Sequence, residues 1–225
     1  MGTTADKLQA IIDSKEAIRT AINDKGGSVL ESTPLDEYAT AIDNLPSIDS
    51  LIDGSITTIN SNVTTIKAYK FYQTNITTAN LPEVTSILTN AFDGCSSLTS
   101  INIPKAVMAS TVVNCFRNCS NLPTIQLDEA TFIGQGCFMG CSSLTSATFK
   151  KVYAIGMTAF KNCTSLSSIT LNYNGVVSLS SNSLDGVTGP VTVYVPSSKI
   201  SSYQTATNWV TLYNNNVVTF SAIPE

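Results

Sequence analysis

The chain has 225 residues, of which 43% are hydrophobic and only 12% charged, against a usual charged share of roughly 25%. A net charge of −4 speaks against nucleic acid, which needs clustered Lys and Arg. The lack of any histidine removes the commonest general base and the commonest metal ligand. No run approaches the ~18 apolar residues of a membrane span, so no membrane insertion is expected.

Residues 1–46 hold four basic and eight acidic side chains and so carry the whole net charge, which marks a boundary. The first residues lack a basic stretch followed by an apolar one and do not read as a secretory signal. Leu8, Ile11, Ile12, Ile18 and Ile22 recur at helical spacing and predict an amphipathic helix over 5–25. Thr3 is placed to cap it and Gly26-Gly27 to stop it. A second helix opens at Thr33-Pro34, with Asp36 and Glu37 where the helix dipole favours acids. Leu35, Tyr38, Ala39, Ile42 and Leu45 form its apolar face. Together the two predict an αα-hairpin, residues 1–46, with little core of its own. Its apolar face would dock on the rest of the chain, on copies of itself in a homo-oligomer, or on a host assembly. Residues 47–54 read as a linker.

From residue 55 to 196 the chain repeats. The block at 91–104, Ala-Phe-Asp-Gly-Cys-Ser-Ser-Leu-Thr-Ser-Ile-Asn-Ile-Pro, returns as near-copies starting at Cys115, Cys137 and Ala159, a period of 22 to 24 residues. Such a period is the mark of a solenoid. A phenylalanine column runs through Phe71, Phe92, Phe116, Phe138 and Phe160 to a degenerate Leu184. A second column runs through Ile76, Leu98, Leu122, Leu144 and Leu166. Each strand reads apolar, two polar, apolar, polar, apolar, as in Leu122-x-x-Ile125-x-Leu127, which is the leucine-rich-repeat strand pattern. Stacking predicts one parallel sheet, with strands about 4.8 Å apart and each apolar column a continuous buried ladder. The fold class is therefore α+β: a helical hairpin, a leucine-rich-repeat solenoid with a parallel sheet, and a C-terminal cap at 197–225. Residues 191–196 predict the last strand and 197–209 one short helix anchored by Tyr203 and Trp209. A cap is needed because an open solenoid end exposes strand edges.

Few residues invite chemistry. Cys115/Cys119 and Cys137/Cys141 have the look of a four-thiolate zinc site. Repeat alignment instead places Cys95, Cys119, Cys141 and Cys163 in one ladder position, with Cys115 and Cys137 where other repeats have Ala91 and Ala159. They read as small buried hydrophobes. Gly134-Gln135-Gly136 with Gly140 misses the dinucleotide fingerprint and reads as a turn. The sequons at Asn62, Asn75, Asn118 and Asn162 read as chance. Asp128-Glu129, the sole adjacent carboxylate pair of the solenoid, reads as a solvated turn. No catalytic residue, cofactor or metal is assigned. Two polar rows between the buried columns are the candidate ligand face: Thr78, Ser100, Thr124, Ser146 and Ser168, and Asn80, Asn102, Gln126, Thr148 and Thr170. No aromatic residue anchors it in this reading, with Tyr72, Tyr153 and Tyr173 at turns or edges.

The repeat words closely resemble the BspA-like class of leucine-rich repeats. The ending Tyr194-Val195-Pro196-Ser197-Ser198, with Tyr203 and Ala206-Thr207-Asn208-Trp209, resembles that class's C-terminal cap. The resemblance spans about residues 55–225 and implies surface display and adhesion to proteins, glycans or cells, with no catalytic residues to carry over. Residues 8–42 are similar to a short N-terminal module of bacteriophage tail and appendage proteins, although Gly27 is added before Ser28-Val29. The joined resemblances imply a non-enzymatic virion structural protein. In it the apolar face of Leu8, Ile11, Ile12, Ile18, Ile22, Leu35, Tyr38 and Ile42 would dock to other virion proteins, and the solenoid would meet a host-surface protein or glycan. The alternative is a bacterial cell-surface or secreted BspA-like adhesin.

Overall fold

The computed structural model of the chain describes residues 57–224. The expected helical hairpin, the linker and the whole apolar docking face lie outside the described residues.

Within them the chain coils as a three-sided solenoid. The first side carries β1 (Thr58–Asn60), β3 (Thr78–Asn80), β5 (Ser100–Asn102), β6 (Thr124–Leu127), β8 (Ser146–Phe149), β10 (Ser168–Leu171), β12 (Val191–Val195) and β13 (Val218–Ala222). The second carries the two-residue strands β2 (Thr65–Ile66), β4 (Ser86–Ile87), β7 (Phe132–Ile133), β9 (Ala154–Ile155) and β11 (Ser178–Leu179). All pairings are parallel, and the register keeps each column intact, as in Ile125↔Ala147↔Ile169↔Val193. Alternation sends one residue inward and the next outward, giving the alternating half-buried and buried pattern of β8 and β10.

The single expected sheet is in fact two. β1, β3 and β5 form one, and β6, β8, β10, β12 and β13 the other, with no pairing between β5 and β6. The second side breaks at the same place, after Val107, which bridges to Ser86. Two features of the sequence produce this. The repeat from Leu98 to Leu122 is 24 residues long, whereas its successors have 22. And Pro123 stands where other repeats have Thr99, Thr145 and Ser167. Elsewhere that residue's N–H donates to the preceding repeat, from Thr99 to Thr77 and from Ser167 to Thr145. Proline has no N–H to give. Ile101, beside the gap, is only partly buried, whereas Ile125 and Ile169 are buried.

The third side runs unbroken past this gap. In each turn alternate N–H groups close i→i−3 bonds, and those between them donate to the next repeat: Phe71 to Ala91, Phe92 to Cys115, Phe116 to Cys137, Phe138 to Ala159 and Phe160 to Ser183. Inside, the Phe column stacks with ring centroids 5.1, 5.2, 5.6 and 5.4 Å apart from Phe71 to Phe160. Leu184 continues it, and the Ile76-to-Leu166 column is buried beside it. These turns need left-handed backbone. One such column reads Gln73, Gly94, Asn118, Gly140, Asn162, Gly186, with φ from 55° to 78°. Asn is the non-Gly residue that accepts this region most readily. A Cβ on Gly140 or Gly186 would collide with the side-chain oxygen of Asn118 or Asn162. Glycine and asparagine therefore alternate because each Asn fills the space its Gly neighbour leaves.

The cap differs from expectation in two respects. The predicted helix over 197–209 is a 3₁₀ turn (Ser197–Lys199), α1 (Ile200–Thr205) and α2 (Trp209–Asn214). Ala206 turns extended and Asn208 left-handed, which ends α1 before Trp209. And β12 is not last: β13 adds in parallel along it over five residues. Tyr203 and Trp209 anchor the cap as expected. Both are fully buried; the indole N–H of Trp209 donates to Val177 O at 2.7 Å, and Val177 N–H donates to the Tyr203 hydroxyl at 3.0 Å. Among the described residues no helix is long and apolar enough to cross a membrane.

Candidate binding faces

The strand registers bring the two polar rows onto the first side in two blocks. Thr78 pairs with Ser100 and Asn80 with Asn102; past the gap Thr124, Ser146 and Ser168 align, as do Gln126, Thr148 and Thr170. Their side chains are half-buried to exposed. The Asn102 amide donates to Asn80 Oδ1 at 2.7 Å. Beside the rows runs a hydroxyl ladder whose members donate back one repeat at 3.0 Å: Thr77 to Thr57 O, Thr99 to Thr77 O, Thr145 to Pro123 O and Ser167 to Thr145 O. That ladder satisfies itself and leaves the outer rows to offer hydroxyl and amide groups on a stiff lattice. Tyr194, half-buried and in register with Thr170, adds an aromatic residue to this face, which the repeat pattern does not place there. Tyr72 and Tyr153 are exposed at the third and second sides, and Tyr173 packs partly against the core.

Charges are handled rung by rung. Lys105 meets Glu83 at 2.7 Å, Lys150 meets Asp128 at 2.6 Å and Lys151 meets Glu129 at 2.6 Å, each pair 22 residues apart. The Asp128-Glu129 pair is thus held by lysines of the next repeat. Partial burial opposes the Asp128 charge, but hydrogen bonds from Lys150 and Gln126 outweigh it and lower its pKa. Sequence spacing did not reveal one further pair, 24 residues apart. Arg117 forks onto Asp93, with Nε–Oδ1 3.0 Å and Nη2–Oδ2 2.7 Å, and the Asp93 side chain is 2% exposed.

All six thiols are free and buried. They do more than fill space. Cys95 donates to Phe71 O at 2.8 Å, Cys119 to Phe92 O at 3.2 Å, Cys141 to Phe116 O and Cys163 to Phe138 O at 3.1 Å. Thr74 holds the same column in the first repeat, donating to Phe71 O. Burial pushes Cys95 up to about 11 and Cys163 to about 12, and raises the others. Metal ligation and nucleophilic attack need the thiolate, and this environment holds the protonated form. Asn118 and Asn162, read as chance sequons, are set by the left-handed turns that they occupy.

A family model described as the BspA type leucine-rich repeat region matches in six copies over residues 53–167 and 131–211. Among solved structures, the T. pallidum leucine-rich repeat protein TpLRR is 21% identical, with 74% of this chain and 87% of that chain covered and a TM-score of 0.47. A leucine-rich cell surface protein from Faecalibacterium prausnitzii A2-165 is 18% identical over 63% of this chain and 65% of that one, with a TM-score of 0.27. A leucine-rich repeat protein from Bacteroides ovatus is 15% identical over 80% and 70%, with a TM-score of 0.25. No curated protein matches the chain.

Proposed function

The chain belongs to the BspA-type leucine-rich repeat family, and from that premise we propose that it is a non-enzymatic binding protein of the adhesion type, displayed at a cell surface or secreted. The observation that carries this reading is the outward face of the first side. Its Ser, Thr, Asn and Gln rows are fixed in register, and they bear no charge. A face of this kind recognises hydroxyl- and amide-rich partners, glycans or protein backbones, by shape and hydrogen bonding. The adjacent carboxylates Asp128, which Gln126 of that face contacts, and Glu129 are engaged by lysines and not opposed across a cleft as glycoside cleavage requires. The test is a glycan and matrix-protein array probed with the whole chain and with Thr148→Arg/Thr170→Arg. Binding that disappears in the variant at an unchanged melting temperature supports the proposal; an array with no ligand for the native chain defeats it.

A second reading, a virion protein, rests on the resemblance of residues 8–42 to a phage tail module alone, a segment that the family match over residues 53–167 and 131–211 does not reach. Mass spectrometry of purified particles decides it, since a virion protein must be found in them. Truncation to residue 47 separates the roles of the N-terminal segment. A solenoid that stays folded but no longer joins the particle marks a docking segment, whereas aggregation marks a cap.

A further inference from the structure

The turn at residues 67–72, Lys-Ala-Tyr-Lys-Phe-Tyr, differs from its equivalents in later repeats. Phe71 enters the core stack, but Tyr69 is 57% exposed and Tyr72 39% exposed, with their rings edge-to-face at 5.8 Å. Tyr69 sits at φ 59°, in the column where later repeats have the smaller residues Asn90, Asn114, Gly136 and Thr158. A bulky aromatic in left-handed backbone is costly, and this ring recovers nothing from the core. The arrangement therefore serves something other than the fold.

Its neighbours suggest what. Tyr72, Asp93 and Arg117 are consecutive members of one column, each following a core Phe. The guanidinium of Arg117 lies within electrostatic reach of both tyrosines. Asp93, itself held by the Asn90 amide, takes two of its five N–H groups and fixes its plane. The remaining N–H groups belong to a side chain that is 31% exposed. Lys67 and Lys70 flank the rings on the same turn, and both are exposed.

We propose that this turn, with Arg117, is a binding platform for an acidic polysaccharide, in which Tyr69 and Tyr72 stack on sugar rings and Lys67 and Arg117 meet uronate carboxylates. Ring faces and fixed donors are what the platform offers. An extended peptide would need a free backbone edge or side-chain pockets. The N–H groups of the turn offer no such edge, because those of Tyr69, Phe71 and Gln73 already donate to the next repeat, and those of Lys70, Tyr72 and Thr74 close its own turns. The platform lies on the third side of the coil and is independent of the sheet-face reading above.

The test is titration of the full chain at low salt with polygalacturonate, with neutral dextran and poly-L-glutamate as comparison polymers. Tyr69→Asn installs the residue that Asn90 and Asn114 supply at the same column, so the Tyr69→Asn/Tyr72→Ala variant should melt no lower than the native chain does. Expected are binding of polygalacturonate but not dextran, a loss of at least tenfold in the tyrosine variant, and native affinity in Thr148→Ala/Thr170→Ala. The proposal is overturned by absent polygalacturonate binding, by equal binding of poly-L-glutamate, by native affinity in the tyrosine variant, or by a loss in the sheet-face variant. The last result would move the site to the first side and leave the adhesion reading standing.

Discussion

Cysteine in this chain acts as a hydrogen-bond donor small enough for a packed column, and it can do so only while protonated. Replacing Cys119 by Ser keeps a donor for Phe92 O, and Thr74 shows that the column accepts a hydroxyl. The shorter, more strongly solvated group should still cost about 1–2 kcal/mol. Urea titration checks the cost, and elemental analysis should find no zinc lost; stoichiometric zinc in the native protein would refute the packing role. The thiols also set a pH limit. Their folded pKa values lie above the ordinary 9.0, to about 11 for Cys95 and about 12 for Cys163, and Tyr203 rises from 10.0 to about 12. Above pH 9 the unfolded chain therefore releases protons that the folded chain retains. Stability is fully present below pH 9 and falls as pH rises toward the folded values, by up to about 1.4 kcal/mol per pH unit for each such group. Urea midpoints at pH 8 and pH 10 should show a large drop, and equal midpoints would contradict the buried thiol ladder.

At the scale of the element, the ladders explain both what holds a repeat and where the stack is weak. Leu144 is fully buried in its column, and Leu144→Ala should cost roughly 2–5 kcal/mol as a large-to-small core change. An unchanged melting temperature would disprove its placement. The gap before β6 predicts an uneven exchange pattern: amides of Thr124–Leu127 should exchange with solvent faster than those of Ser146–Phe149, which have a strand on both sides. Equal protection in hydrogen-exchange mass spectrometry would argue for a closed sheet. Much of this fold is legible in the sequence, because Phe, Leu and Cys recur at spacings that only stacking can bury. The gap is not, since it comes from one proline in a column otherwise of threonine and serine, together with two added residues. Nor is the Arg117–Asp93 fork, whose 24-residue spacing follows from that longer repeat. The outer edge strand β13 escapes notice because a single short apolar run after a cap looks like a tail. In the candidate face the period-two alternation marks the outward rows, while Tyr194 sits in a strand whose sequence no longer matches the repeat.

For the whole molecule, the two sheets are joined by the third side and by the ring stack that passes through Phe92 and Phe116. These two rings, 5.2 Å apart, lie on opposite sides of the sheet gap. Neighbour coupling is what makes a repeat array unfold as one unit. Phe116→Ala should cost about 3–5 kcal/mol and weaken that coupling. The chain has one tryptophan, Trp209, buried in the cap, so its fluorescence reports the C-terminal half and circular dichroism the whole. The two signals should coincide on heating the native protein and separate in Phe116→Ala; coincident signals in the variant would show that the sheets, not the rings, carry the coupling. The alternation of Gln73, Gly94, Asn118, Gly140, Asn162 and Gly186 has a consequence for the history of such a chain. Excising the 22 residues 118–139 would set Gly94 beside Gly140 and leave an empty notch between two glycines. Duplicating them would set two asparagines side by side. Removing or copying 44 residues, the distance from Asn118 to Asn162, preserves every neighbour. The unit in which this coil can lengthen or shorten without repair is therefore a pair of turns, and natural variants should differ in size by even numbers of repeats.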